Sequence, residues 1–265
     1  MLVHNIDPVA FHIGPLKVYW YGLSYFLSVM IVWRLGLYRA KQGLVDLSKD
    51  QVTKLIFLYW FLPLIVGARL GEYLFYRMDV LLHSPWQVFE LWKGGMSFHG
   101  GLLAVMISYG LFSRCYQKSY WMLADFSVCL APIGLALGRL ANFINGELWG
   151  RVTRVPWGVV FPKAGYTIRH PSQLYEFMLE GVVLFVILWV YASKPRARGT
   201  VFALFLFLYG AFRFIVEFYR QPDAVSVVPG LAWMSRGQEL CALMMLAGLV
   251  MFWWFGRRDR VGPAS

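Results

Sequence analysis

The chain has 265 residues, of which 59% are hydrophobic and 15% are charged, and its formal net charge is +11 at pH 7. A soluble domain usually carries about 25% charged residues and cannot hide this much apolar surface in one core. The composition therefore excludes a disordered chain, a disulfide-stapled secreted domain and an ordinary cytosolic enzyme. It predicts a polytopic membrane protein.

Seven apolar stretches of the chain are long enough to cross a hydrocarbon core, which needs about 20 helical residues. Their predicted bounds, in chain order, are 18–37, 51–75, 98–115, 122–145, 172–193, 199–219 and 236–256. We find no internal repeat, low-complexity tract or linker between them. The sequence therefore predicts an all-α fold of about seven transmembrane helices, and a single integral-membrane domain over residues 1–265.

The distribution of Lys and Arg predicts the orientation of these helices. Basic residues are denser in the short connections 38–50, 116–121 and 194–198 and in the C-terminal tail than in the longer connections on the other side. By the positive-inside rule, the N-terminus is periplasmic and the C-terminus is cytoplasmic. This rule also explains the net charge more simply than a nucleic-acid partner does. We expect the outer loops, about 76–97 and 146–171, to form a small periplasmic head.

The outer segments carry few strong structural signals. Residues 1–17 contain Asp, Pro and Gly and predict an extended or surface-lying arm. Ser84, followed by Pro and then by Gln three positions on, predicts a capped helix start. Trp86, Phe89 and Trp92 would give this helix an apolar face suited to the membrane interface. The stretch 146–171 is rich in Gly, Val and Pro and predicts irregular or short β structure.

Polar residues inside the spans are expensive, since a charged side chain at mid-membrane costs about 2.5–3.5 kcal/mol on insertion scales. With the predicted topology, nearly all of them fall in the outer leaflet: Tyr21, Arg69, Glu72, His99, Arg139, Asn142, Asn145, Glu147, His170, Gln173, Glu176, Glu180, Tyr209, Arg213 and Glu217. This convergence indicates a functional site.

Helical spacing groups these residues further. Arg139 and Asn142 share one face of the fourth span, and Tyr209, Arg213 and Glu217 follow each other at intervals of four in the sixth. Two arginines from different spans suggest a shared anionic ligand. For the remaining Arg and Glu residues, ion pairs that lock the bundle are at least as good an explanation: Arg69, Glu72, Glu176 and Glu180.

An arginine-lined cavity in the outer leaflet suits an anionic phospholipid headgroup, because a guanidinium binds phosphate bidentately. His, Tyr and Glu side chains nearby could transfer protons, although a lone His such as His99 is often structural. The chain has no nucleotide-binding loop, HExxH, GxSxG or metal-spaced carboxylates. Two classes remain: a lipid-modifying transferase, and a phospholipid or anion transporter. The paired broken spans and internal repeat typical of transporters are not evident.

One motif is specific enough to suggest a family. GRLANFINGELWGR at 138–151 resembles the signature of the bacterial prolipoprotein diacylglyceryl transferases. Other motifs resemble that family in the same order: WYG at 20–22, GGMSFHGG at 94–101, RHPSQLYE at 169–176, YGAFRFIVEF at 209–218 and RQPD at 220–223.

The resemblance implies an enzyme of the bacterial inner membrane whose active site lies toward the periplasmic leaflet. It would transfer the diacylglyceryl group of phosphatidylglycerol to the lipobox cysteine of a prolipoprotein, forming a thioether and releasing glycerol 1-phosphate. This is a displacement at carbon, so we expect neither a metal ion nor a cofactor. The substrates are then a membrane lipid and a signal peptide, and no nucleic acid is expected.

The resemblance also implies the site residues. Those with a catalytic role are Arg139, Arg213, His99, Glu147 and Tyr21. Those that bind phosphatidylglycerol are Arg139, Arg213, Asn142, Gly150 and Tyr209.

Overall fold

The structure, a computed structural model, describes residues 2–90, 94–222 and 233–258. Trp92, Asp223 and the C-terminal tail beyond Arg258, which the sequence analysis used, lie outside the described residues. The chain forms two compact units. Unit 1 comprises Met1–Val32 and Asp125–Ser265, and unit 2 comprises Trp33–Ala124.

The chain is mostly helical, as its composition predicts. The helices, in chain order, are α1 Trp20–Lys41, α2 Lys49–Tyr76, α3 Met78–His83, α4 Phe98–Tyr116, α5 Tyr120–Val128, α6 Ala131–Asn145, α7 Ser172–Tyr191, α8 Thr200–Glu217 and α9 Arg236–Arg258. Five helical stretches of the described chain are long and apolar enough to cross a membrane: α2, α5 with α6, α7, α8 and α9. The first and third predicted spans correspond to α1 and α4, and their crossing stays a prediction.

Two of the long helices depart from α geometry close to a proline. In α2, a π-helical segment, Leu55–Phe61, directly precedes the turn that contains Pro63. The predicted fourth span is divided into α5 and α6 by a turn at residues 129–130, just before Pro132. Proline lacks an N–H and its ring collides with the carbonyl four residues earlier, so the helix must widen or break at these positions.

The N-terminal segment, predicted as an extended or surface-lying arm, contains a β-hairpin. β2, Val9–Ile13, pairs with β3, Leu16–Tyr19, across a tight turn in which Gly14 has a φ of +58°. Glycine adopts this left-handed conformation without a steric penalty. Most side chains of both strands are exposed, so the sequence lacks the alternation of apolar and polar residues by which a half-buried strand is recognised.

Short strands also connect the N-terminus to the loop after α6. β1, Leu2–Val3, pairs in parallel with β4, Val159–Val160, and β4 pairs antiparallel with β5, Ile168–Arg169. The side chains of β4 and of Phe161 are buried. The prediction of short β structure in 146–171 is confirmed.

In unit 2, the predicted helix near Ser84 is a short 3-10 helix, Pro85–Phe89. Its predicted cap is wrong, because the Ser84 side chain makes no capping hydrogen bond. Trp86 and Phe89 are both exposed. The two residues therefore form part of an apolar surface on this segment.

The segment around this 3-10 helix is held by Arg69 of α2, which is fully buried. Its guanidinium donates hydrogen bonds to the Tyr73 hydroxyl and to five backbone carbonyls, those of Gln87, Val88, Glu90, Gly94 and Gly95. Arg69 therefore organises a loop through backbone carbonyls, whereas an ion pair was the expected structural role.

Helices α2 and α4 approach each other through glycines. A Cβ atom on Gly100 would lie 2.7 Å from the Cα atom of Gly71, and one on Gly101 would lie 2.9 Å from the Leu64 side chain. Small residues at such positions let two helix backbones pack closely, as is common in membranes. His99 is adjacent to this contact, at the start of α4.

This contact predicts a large difference between two glycine substitutions in α4. Gly100→Ala should lower the free energy of unfolding by about 1–3 kcal/mol, because the added methyl overpacks the interface. Gly110→Ala is the matched control, since no atom lies within 4 Å of its added Cβ, and it should be neutral or stabilising. Thermal unfolding in detergent measures both, and equal unfolding temperatures would contradict the packing described.

Candidate active site

The costly polar residues of three helices in unit 1 lie at one end of those helices. α6 carries Arg139 near its C-terminal end, α7 carries Glu176 near its N-terminal end, and α8 carries Arg213 one turn before its end at Glu217. These side chains contact one another. The C-terminal ends of α6 and α8 and the N-terminal end of α7 therefore come together.

Arg139 and Arg213 meet at two buried glutamates of α7. Nε of Arg139 lies 3.1 Å from Oε2 of Glu176, and its Nη2 lies 3.8 Å from Oε2 of Glu180. Nη1 of Arg213 donates a short hydrogen bond to Oε1 of Glu176 and lies 3.7 Å from Oε1 of Glu180. The two arginines therefore converge, and they share their carboxylate partners.

A third arginine, which the sequence analysis did not select, extends this cluster. Nη1 of Arg220 donates a hydrogen bond of 2.9 Å to Oε1 of Glu176, and its Nε lies 3.6 Å from Oε2 of Glu217. Glu217 also contacts Nη2 of Arg213 at 3.2 Å and accepts a hydrogen bond of 3.0 Å from the Ser235 hydroxyl. The spacing of Arg220, three residues after Glu217 and seven after Arg213, is the signal that could have identified it.

The cluster joins three guanidinium groups and three carboxylates, so its formal charges balance. The glutamates are its innermost part: the side chains of Glu176 and Glu180 are 0% exposed, whereas those of Arg139 and Arg213 are 18% and 15% exposed. Buried charges are tolerated only when they are paired. The guanidinium groups of Arg139 and Arg213 are thus the accessible part of the cluster, whereas Arg220 is buried with the glutamates.

A second polar group surrounds Glu147 at the end of α6. Gly146 ends the helix with a φ of +61°, and the chain turns so that Oε1 of Glu147 accepts hydrogen bonds from Nδ2 of Asn142 at 2.9 Å and of Asn145 at 3.3 Å. The side chain of Gln173 donates a hydrogen bond of 2.6 Å to the Glu147 carbonyl. The Glu147 carboxylate is therefore held in place by two amides.

Gly150 connects the loop after α6 to the cluster through its backbone. Its N–H donates to the His170 carbonyl at 2.9 Å, and a Cβ atom at this position would lie 2.6 Å from the same oxygen. Gly150 also forms an antiparallel bridge with Arg220, whose carbonyl accepts a hydrogen bond of 2.8 Å from Nε of Arg151. Only glycine fits here, and its place fixes the backbone next to Arg220.

His170 lies on the same loop, outside the candidate spans. One of its ring nitrogens is 3.0 Å from the Tyr175 hydroxyl, which also accepts a hydrogen bond of 2.7 Å from Nε1 of Trp157. Partial burial lowers the pKa of His170, because it disfavours the charged imidazolium. We therefore expect this histidine to be neutral at pH 7 and to hold the loop by hydrogen bonding.

The other residues implied by the resemblance lie in both units. Tyr209 is on α8, one turn before Arg213 and on the same face, and its ring stacks on Phe205. Tyr21 is half-buried in the first turn of α1. His99 is exposed at the start of α4, in unit 2. The structure thus brings together Arg139 and Arg213, with Tyr209 one turn away on α8, and separately Asn142 and Glu147.

Within the described ranges, no group of three or more His, Cys, Asp or Glu side chains is arranged to hold a metal ion. The three neighbouring glutamates of the cluster are occupied by arginines instead. The ion pairs hold the guanidinium groups in fixed positions, and guanidinium groups in fixed positions can bind an anion.

The cluster predicts that one buried charge supports three helices. Glu176→Gln should lower the free energy of unfolding by about 3–5 kcal/mol, since it leaves buried guanidinium groups without their shared carboxylate. Asp50→Asn is the control, because it removes an exposed ion pair with Lys54 and should cost no more than about 1 kcal/mol. Thermal unfolding in detergent compares the two. Equal losses would show that the cluster does not support the fold.

Comparison with known proteins agrees with the motifs. A family model for prolipoprotein diacylglyceryl transferases matches residues 8–254. A Coxiella burnetii (strain RSA 331 / Henzerling II) protein named phosphatidylglycerol–prolipoprotein diacylglyceryl transferase is 52% identical over 250 residues, covering 94% of this chain and 95% of its own length. A Legionella pneumophila (strain Lens) protein of the same name is 51% identical over 249 residues, covering 94% of this chain and 97% of its own length. This multi-pass membrane protein therefore belongs to the prolipoprotein diacylglyceryl transferase family.

Proposed function

We propose that this chain transfers the diacylglyceryl group of phosphatidylglycerol to the lipobox cysteine of prolipoproteins, the first step of lipoprotein maturation. Two relatives that are about half identical over nearly the whole chain carry the name of this activity. The alternative function, a phospholipid or anion transporter, finds no support in these comparisons. The reaction releases glycerol 1-phosphate and leaves a thioether on the protein substrate.

One observation carries the proposal: guanidinium groups from two helices converge at the same buried glutamates and are themselves partly exposed. A phosphate has several acceptor oxygens, and two or more arginines can bind it with paired hydrogen bonds. Because Glu176 and Glu180 already orient Arg139 and Arg213, these side chains lose little conformational entropy when the lipid phosphate binds.

The reaction follows from the charge that develops in it. The thiolate attacks the glycerol carbon that bears the phosphate, so a C–S bond forms as the C–O bond breaks. The bonding electrons leave with the phosphate oxygen, and Arg139 and Arg213 stabilise this growing negative charge. A free thiol has a pKa of about 8.5, so a base or a positive field must help to ionise it. His99 is our candidate for the base, and Glu147 and Tyr21 are the others.

The remaining proposed residues position the lipid. Asn142 is fixed by its hydrogen bond to Glu147 and would hold the headgroup beside Arg139, three residues earlier on the same helix. Tyr209, one turn from Arg213, offers a hydroxyl on the same face of α8. Gly150 contributes through its backbone, since it holds the loop next to Arg220.

The proposed location is the bacterial inner membrane, with the site toward the periplasmic leaflet. The full proposal is a single domain with seven spans, a periplasmic N-terminus, a cytoplasmic C-terminus, and a periplasmic head formed by the loops about 76–97 and 146–171. The common position of the polar cluster at one end of α6, α7 and α8 supports a site on one side of the membrane. The basic connections at the other ends support the orientation.

Purified protein in detergent, supplied with phosphatidylglycerol and a lipobox peptide, tests the function directly. We expect the mass of the peptide to increase by one diacylglyceryl group on its cysteine, with stoichiometric glycerol 1-phosphate. An unmodified peptide, together with lipid movement in vesicles that contain the protein, would identify a transporter.

Arg139→Ala should lower the transfer rate by about a hundredfold or more, as removal of one transition-state hydrogen-bond donor does elsewhere. Arg139→Lys should also fail, because an ammonium cannot form the paired hydrogen bonds. The exposed Arg114→Ala in α4 is the control and should retain transfer. Near-normal transfer by Arg139→Ala would refute the assignment, and full rescue by Lys would show that a point charge is enough.

His99→Gln should lower transfer, because a glutamine amide cannot accept the thiol proton. His83→Gln is the matched control, since His83 is exposed on α3 and its Nδ1 lies 2.7 Å from the Asp79 carbonyl of the same helix. The pH profile of transfer is the measurement. If His99→Gln keeps its activity with an unchanged profile, the thiol is activated by Glu147, by Tyr21 or by the positive field alone.

A further inference from the structure

α7 carries an open groove at the end that is remote from Glu176. The groove has a volume of about 510 Å³. Its lining includes three aliphatic side chains and one tyrosine of the helix and two basic side chains just beyond it: Val186, Ile187, Val190, Tyr191, Lys194 and Arg196. Val186 and Val190 are each more than half exposed, although they belong to a helix apolar enough to cross a membrane. Such side chains are stable in contact with acyl chains.

The basic end of the groove is ordered by an aromatic ring. Nε of Arg196 donates a hydrogen bond of 3.0 Å to the Tyr191 carbonyl, and its Cζ lies 4.2 Å from the centre of the Tyr191 ring. Among the described residues, no hydrogen bond or ion pair engages Lys194 or the terminal nitrogens of Arg196. The guanidinium is therefore held against the Tyr191 ring, and its terminal nitrogens are available to bind an anion.

The surroundings of the groove are positive. No Asp or Glu occurs between Gly181 and Val216. α9 ends nearby, since Phe252 contacts the Tyr191 ring, and α9 carries Arg257 over the ring of Trp253.

Among the described residues, Asp125 is an acidic residue at this end of unit 1. Its carboxylate oxygens accept the N–H groups of Gly199 and Phe202 at 2.6 and 2.8 Å. Asp125 thus caps the start of α8, and its oxygens are engaged there.

We propose that this groove binds one anionic phospholipid, with an acyl chain along Val186 and Val190 and the phosphate at Lys194 and Arg196. The site is distinct from the arginine–glutamate cluster: Glu176 and Tyr191 are separated by about 22 Å along α7, so the lipid belongs to the opposite leaflet. Basic pockets at the cytoplasmic ends of membrane helices attract anionic headgroups.

The same basic residues also fit the positive-inside rule, which needs only their charge. Two features of the structure go beyond that rule. The guanidinium of Arg196 is held against Tyr191, and it lies at the mouth of a groove with an aliphatic wall. A basic residue that only set the orientation of the helix in the membrane would need neither the aromatic contact nor the groove.

Native mass spectrometry of the protein in detergent, titrated with phosphatidylserine and with phosphatidylcholine, tests the site. In the double variant Lys194→Gln/Arg196→Gln, one phosphatidylserine binding step should weaken about thirtyfold, since each basic residue near the headgroup contributes about fivefold. The control Lys41→Gln/Arg114→Gln removes the same charge from exposed positions and should keep that step. Equal weakening in both, or in neither, would overturn the proposal.

A second variant tests the groove itself. Val190→Phe leaves the charges in place but fills the groove, and it should weaken the same binding step while unfolding at the same temperature as the parent. If Val190→Phe binds phosphatidylserine normally, the acyl chain does not lie there and the proposal fails. The double variant should still modify the lipobox peptide, because the cluster around Arg139 is unchanged, so loss of the lipid site and failure of the proposed function are separable.

Discussion

The buried ion cluster of α6, α7 and α8 is the interaction on which the rest of unit 1 depends. Glu176 contacts Arg139, Arg213 and Arg220, so one carboxylate is the partner of residues from two helices and from the segment after α8. In an apolar bundle, an unpaired charge costs several kcal/mol. The three helices can therefore take only the register in which these side chains meet.

The backbone of α7 is adapted to this cluster. Residues Phe177–Val183 form a π-helical segment, and this segment carries Glu180. The next residue, Gly181, faces α6 so closely that a Cβ atom there would lie 2.6 Å from the Cβ of Ala136. The wider turn changes the angle between Glu176 and Glu180, and the glycine lets α7 reach α6. Both departures from a regular helix serve to bring two carboxylates under the same arginines.

The cluster combines a structural role for its glutamates with a ligand-binding role for its arginines. The glutamates stabilise the bundle as ion pairs, and at the same time they hold Arg139 and Arg213 where a phosphate can reach them. Electrostatic catalysis requires groups that are oriented before the charge develops. Burial of the carboxylates, rather than of the arginines, provides that order while leaving the donors accessible.

Composition and hydrophobic length alone determined the class of protein and the places of the helices, because a span of the bilayer requires a long apolar run. The spacing of Arg213 and Glu217 in one span, and the motif around Arg139 and Asn142, determined the candidate residues and the family. Only the tertiary structure decided which side chains contact one another. Nothing local in the sequence indicates that Glu176 joins Arg139, Arg213 and Arg220, that Arg69 binds the backbone carbonyls of a loop, or that three strands form within residues 2–19. These features depend on contacts between segments far apart in the chain, and such contacts leave no periodic pattern in either segment.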